Sequence, residues 1–213
     1  MTTGALAGKK IAVLIETEYI PEEIAAYQKR FPELGATVHL MSRLFNQPSV
    51  RFVSDVDAVG KSLQYLDVNI DFQHVDINDY AAVIMAANYT SVRLRYFEPP
   101  AGQPISPEQT RTAPAVQFFA KAMANPKIVK GLLCHGLWLL TPMPELIKGR
   151  KVICHEVVLA DITNAGAVYV PSPSNIVVDR DLVTGRSGHD VNAFIDAIAH
   201  QIALQEKGLP LLS

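Results

Sequence analysis

The chain has 213 residues, 49% of them apolar and 19% charged, and carries a formal charge of −2. That balance suits one globular domain of residues 1–213 with a sizeable core, and the absence of any Lys/Arg run argues against a nucleic-acid partner. No apolar stretch is long enough to span a membrane, the first residues lack a signal peptide's basic-then-apolar order, and two cysteines make no disulfide scaffold, so a cytoplasmic location is expected.

Residues 10–16, Lys-Ile-Ala-Val-Leu-Ile-Glu, predict a first strand buried on both faces, as in a parallel sheet. After a turn at 17–20, Pro21 suits the first position of a helix whose apolar face runs through Ile24, Tyr27, Phe31 and Leu34 and which ends at Gly35. Residues 36–41 predict the second strand. This β-α-β opening puts Glu23 at the rim where doubly wound sheets carry their sites. Glu22 and Glu23 also have a plain reading, because acidic residues favour the first turn of any helix. Glu16 and Glu18 are further candidates on the same turn.

Residues 50–56 and 66–75 are rich in β-branched and aromatic side chains and flank Gly60-Lys61-Ser62, which predicts a hairpin or excursion at the sheet edge. Asp76 and Asp79 bound a turn. Residues 81–87 form another fully buried strand ending at Asn88-Tyr89-Thr90-Ser91. Five prolines between 99 and 114 predict an exposed loop beside a cleft. A helix is expected over 115–125, with Val116, Phe119 and Met123 on its apolar face, and Pro126 breaks it.

The strand over 128–133 stops at Cys134-His135-Gly136, and the apolar segment after it reads as a helix interrupted by Pro142 and Pro144. A nucleophile at a strand-to-helix turn has the geometry of a nucleophile elbow, and free N–H groups at a helix start favour a thiolate. Cys134 should therefore react faster than Cys154; the plain alternative is a buried Cys at a strand end. Residues 151–154 predict a strand ending at Cys154-His155, 157–165 a short helix, and 168–170, 176–178 and 182–184 strands. Asp190 is the expected N-cap of a last helix that buries Phe194, Ile198 and Ile202. His189 reads as a solvated helix start. The cysteine and histidine of each Cys-His pair are sequence neighbours whose side chains diverge on a strand, so no metal site is expected, and no cofactor motif is present. Alternating buried strands and helices indicate a single doubly wound, three-layer α/β/α domain with a mostly parallel sheet, flavodoxin-like, with the elbow at Cys134.

Leu132-Leu133-Cys134-His135-Gly136, then Lys148-Gly149-Arg150-Lys151-Val152, Asp161-Ile162-Thr163-Asn164-Ala165-Gly166 and Asp181-Leu182-Val183-Thr184-Gly185-Arg186 resemble, in order, the ThiJ/PfpI superfamily with its class I glutamine amidotransferase-like fold. The resemblance implies a cysteine-dependent enzyme, of hydrolase, hydratase or glyoxalase/deglycase type, acting on a small electrophilic substrate. Cys134 falls on its nucleophile and Glu23 on the helix carboxyl that hydrogen-bonds the sulfur. Adjacent anions are costly, so Glu23 is expected to hold a proton. His135 and the Ala87–Asn88 loop fall on the backbone N–H groups of the oxyanion site. Three departures stand out. Ala87 and Asn88 replace a usual Gly-Gly, and Val92 occupies the position of the acid in protease-like members, so efficient peptidase activity is not expected. His155 replaces a Tyr, and reads either as an acid–base group facing substrate or as a polar strand end. The resemblance also implies a homodimer. A different class of function, a non-catalytic oxidative-stress sensor working through oxidation of Cys134, remains open at this point.

Overall fold

A computed structural model of the chain describes residues 4–55 and 62–213. Val56, Gly60 and Lys61 of the expected edge excursion lie outside the described residues. In chain order the elements are β1 (Lys10–Leu14), α1 (Pro21–Glu33), β2 (Thr37–Met41), β3 (Val50–Val53), β4 (Tyr65–Val68), β5 (Ala82–Met85), α2 (Thr90–Arg93) and α3 (Pro114–Ala124). They continue with β6 (Val129–Leu133), β7 (Lys151–Val152), α4 (Leu159–Asn164), β8 (Val168–Tyr169), β9 (Ile176–Asp179), β10 (Leu182–Gly185) and α5 (Val191–Glu206).

The central sheet has six strands in the order β2-β1-β5-β6-β10-β9. All neighbours are parallel except β9, which returns antiparallel along β10. The fully buried runs of β5 and β6 explain why they read as continuous apolar segments: helices cover both faces. Helices α1 and α5 pack on each other over one side, where Gly131 leaves room for Phe194 and Ile198. Helix α3 packs on β6 and on the 3-10 turn that follows it. Strand order reverses between β1 and β5, so the crevice at their carboxyl ends is the switch point where such folds bind ligands. No helix among the described residues is long and apolar enough to cross a membrane.

Several expected elements are shorter or tighter. Strand β4 ends at Val68, and Asp71 then caps a 3-10 turn over Phe72–His74 by accepting the Gln73 N–H at 2.9 Å. The proline-rich loop contains a 3-10 helix over Pro107–Thr112. Asp190 does not cap α5 through its own side chain; it accepts from Ser187, closing a capping box one turn earlier. The apolar segment after Cys134 is a five-residue 3-10 helix, Gly136–Leu140, rather than an α-helix. Five apolar residues before Pro142 cannot distinguish the two helices by periodicity, and so short a turn carries little dipole.

Candidate active site

Strand β6 ends by placing Cys134 in the left-handed region at φ 60°, with its N–H donating to the Gly185 carbonyl at 2.8 Å. A non-glycine residue there bears about 1–2 kcal/mol of strain, which the surrounding sheet must hold. Gly136 explains the next part of the motif: a Cβ at that position would lie 3.2 Å from the Met85 carbonyl oxygen and 3.2 Å from the Leu132 Cβ. The chain thus turns tightly back under β5. Asn88, at φ 68°, makes the companion turn after β5, and takes the left-handed conformation that Asn tolerates better than Ala. Backbone N–H groups of Asn88, His135 and Gly188 all face the Cys134 sulfur.

These turns border a cavity of about 380 Å³ lined by Ile20, Glu22, Asp55, Asn88, Cys134, His135 and His155, and by Ser187, Gly188 and His189 from the turn before α5. His135 is 7% exposed, and its Nδ1 lies 2.8 Å from the Cys134 Sγ. Its ring stacks on His155 at 4.9 Å and meets Trp138 edge-on at 5.2 Å. Burial, then the neighbouring His155, pull its pKa down to about 4, with Asp55 acting in the opposite sense. Burial pushes the Cys134 thiol up to about 12; the three backbone amides oppose this and the Glu23 charge adds to it. Cys154 is also pushed up to about 12, mainly by burial. Burial therefore works against the expected thiolate, and the three amides work for it. Burial pushes both members of the Cys134–His135 pair toward their neutral forms, and the S–H can donate to Nδ1 in the tautomer that leaves that nitrogen unprotonated.

Glu23 is fully buried in the first turn of α1. It accepts the Tyr27 hydroxyl at 2.7 Å and the Ala87 N–H at 3.0 Å to each carboxylate oxygen. Burial raises its pKa to about 7, and those two donors hold it from rising further. Its charge and that of Cys134 disfavour each other, so the pair carries one negative charge more readily than two.

The sequence candidates thus separate. Cys134, His135, Asn88 and His155 meet at the cavity, and Glu23 lies behind them. Ala87, expected beside Asn88, is fully buried behind the cavity wall, where its amide holds Glu23. His189, expected in solvent, lines the cavity at its exposed rim. Val92 lines a different cleft of about 560 Å³ with Tyr89, Arg95 and Trp138. Sequence reasoning missed Asp55 and Gly188. A Gly shortly after the last parallel strand was the available signal for Gly188; Asp55 had none, since only the fold brings the hairpin to β6. Among the described residues no group of three or more His, Cys, Asp or Glu side chains is placed to hold a metal.

Comparison with known proteins agrees with this architecture. The DJ-1/PfpI family model matches residues 100–201. Protein/nucleic acid deglycase 2 of Escherichia coli is 27% identical over 187 residues, 87% of this chain and 93% of that one. Solved structures share the fold at lower identity. DJ-1 of Schizosaccharomyces pombe superposes with a TM-score of 0.69 at 15% identity, covering 93% of this chain and 94% of that one. A ThiJ/PfpI domain protein of Brachyspira murdochii gives 0.68 at 16%, covering 92% and 96%.

Proposed function

Since the chain belongs to the DJ-1/ThiJ/PfpI superfamily, we propose that it is an enzyme in which Cys134 attacks a small electrophilic substrate. The observation carrying this is the placement of Sγ: on a strained turn, 2.8 Å from an imidazole nitrogen, facing three backbone amides beside a cavity. The thiol proton passes to His135 Nδ1 as sulfur bonds the electrophilic carbon, and the carbonyl π pair moves onto oxygen. The Asn88, His135 and Gly188 amides supply hydrogen bonds for the charge developed there, and the imidazolium returns the proton to that oxygen. Glu23, titrating near 7 behind the sulfur, takes up or releases a proton as the sulfur's charge changes. His155 stacks on His135 and completes the cavity wall.

The deglycase name of the Escherichia coli relative favours small aldehydes and their adducts with amines among the possible substrates. Val92 stands away from the cavity, which speaks against efficient peptidase activity. We further propose a homodimer acting in the cytoplasm; light scattering at micromolar concentration checks the assembly, and a monomer removes it. The main test is turnover of methylglyoxal, small amides and isonitriles by wild type and Cys134→Ser. Turnover lost in the variant supports the reading. No turnover of any of them, together with selective peroxide oxidation of Cys134, moves the function to an oxidative sensor.

A further inference from the structure

We propose that Asp55 is the positioning residue that allows His135 to accept the Cys134 proton. This rests on the reading of Cys134 as nucleophile and adds a group that no superfamily motif in this sequence marks.

The argument begins from charge. Moving the proton from sulfur to Nδ1 creates an imidazolium where the ring is 7% exposed, and a buried cation needs a nearby anion. The thiolate supplies one charge, but bonding to substrate carries that charge from the sulfur to the substrate oxygen and leaves the imidazolium without its anion at Sγ. His155 stacks on the ring at 4.9 Å, Tyr89 packs against it at 5.4 Å and the Cys134 Sγ lies 2.8 Å from Nδ1, while Asp55, Glu22 and His189 line the same cavity. His155 opposes protonation of His135; Asp55 favours it. Glu23 acts on the sulfur rather than on the ring.

The geometry holds Asp55 in place from two directions. Its N–H donates to the Tyr19 carbonyl at 2.9 Å, fixing the end of the hairpin strand against the β1–α1 turn. Its Oδ2 accepts from Asn88 Nδ2 at 2.7 Å, and the same amide nitrogen donates to the Glu18 carbonyl at 2.9 Å. Asn88 also presents its backbone N–H to the Cys134 sulfur from a left-handed turn. One carboxylate therefore supports the imidazolium and pins the loop that faces the sulfur. The hairpin becomes part of the reaction centre instead of an edge ornament.

Asp55→Asn is the informative variant, because its side-chain oxygen still accepts from Asn88 while the charge is gone. Iodoacetamide labelling of Cys134 is followed against pH by mass spectrometry, with Cys154 labelling and thermal unfolding as internal controls. The expected result is a reactivity profile displaced upward by about one pH unit, or tenfold slower labelling near pH 7. The controls should not change, and Asp55→Glu should recover most of the rate. A uniform loss at every pH would assign Asp55 a structural role and overturn the proposal, as would no change. NMR titration of the His135 ring in a Cys134→Ser background reads the same coupling without the nucleophile. There, Asp55→Asn should move the imidazole to lower pH; an unmoved titration overturns the proposal even if Cys134 proves to be the nucleophile. A wild-type Cys134 no faster than Cys154 would instead sink the nucleophile reading, and a shifted imidazole titration would still stand.

Discussion

At the amino end of β6, Lys130 is fully buried, bonds the Asp181 carboxylate and donates to the Asn125 carbonyl at 3.0 Å. Arg150 joins the cluster, reaching Asp181 at 2.8 Å and Asp179 at 2.7 Å. At the carboxyl end, Glu23 is just as buried, but its bonds come from a phenol and an amide, both neutral. The consequences diverge. Burial pushes the Asp179 carboxyl up, yet Arg150, the Lys151 N–H and Arg180 together more than reverse this and hold it below its usual range. Burial of Glu23 meets no such opposition, and its pKa rises to about 7. Matched charge fastens one end of the sheet, while unmatched charge leaves at the other a group that titrates where proton transfer is useful.

Cys134→Ser tests the functional end most severely: labelling and any turnover should fall by at least about a hundredfold with the fold intact. Residual turnover close to wild type would remove the site altogether. Lys130→Met breaks the opposite end. It leaves Asp181 with Arg150 alone, and urea unfolding should show a loss of about 3 kcal/mol, while Cys134 labelling in the folded state stays unchanged. A stable Lys130→Met protein would mean that the ion cluster does not fasten this end.

Glu23→Gln sharpens the contrast because the change should stabilise. The folded pKa, about 7, lies above the ordinary 4.5, so between those values the folded state binds more proton than the unfolded one. Stability contributed by this group is therefore full below 4.5 and falls as pH rises to 7. The glutamine keeps the acceptor for Tyr27 and Ala87 without the charge. The two proteins should unfold alike near pH 4, with the variant gaining about 3 kcal/mol above pH 7. Parallel curves would show that Glu23 does not titrate in that window. Gly136→Ala gives the smallest effect: crowding of the Met85 carbonyl should cost about 1 kcal/mol and slow Cys134 labelling by displacing the turn. Unchanged melting would show that the turn has slack.

The parallel strands, α1 and the break at Cys134 were legible because local pattern decides them: continuous apolar runs, Pro21 at a helix start, Gly136 after the nucleophile. Glu23 was legible only through the superfamily resemblance, since a carboxylate in a first helical turn is ordinary. What stayed hidden depended on distance in the chain. Lys130 sits in an apolar run and looks like an intruder until Asp181, fifty-one residues later, is brought beside it. Asp55 reads as a hairpin residue until Asn88 clamps it. The surroundings of the Cys134 sulfur are hidden in the sequence for a different reason. The apolar segment after the cysteine has the pattern of a helix start, whereas the chain forms a short 3-10 turn and burial is the largest influence on the thiol.

The edge-on contact between His135 and Trp138 gives this chain a lamp inside its reaction centre. Trp138 is the one tryptophan in the sequence, so all indole emission reports from a ring whose centroid is 5.2 Å from that of the imidazole. A charged imidazolium quenches a neighbouring indole far better than a neutral imidazole does. Every event that moves a proton onto His135, whether acidification, substrate attack or a change at Asp55, should therefore dim the protein's own light, so the proton's arrival can be watched in real time on unlabelled protein.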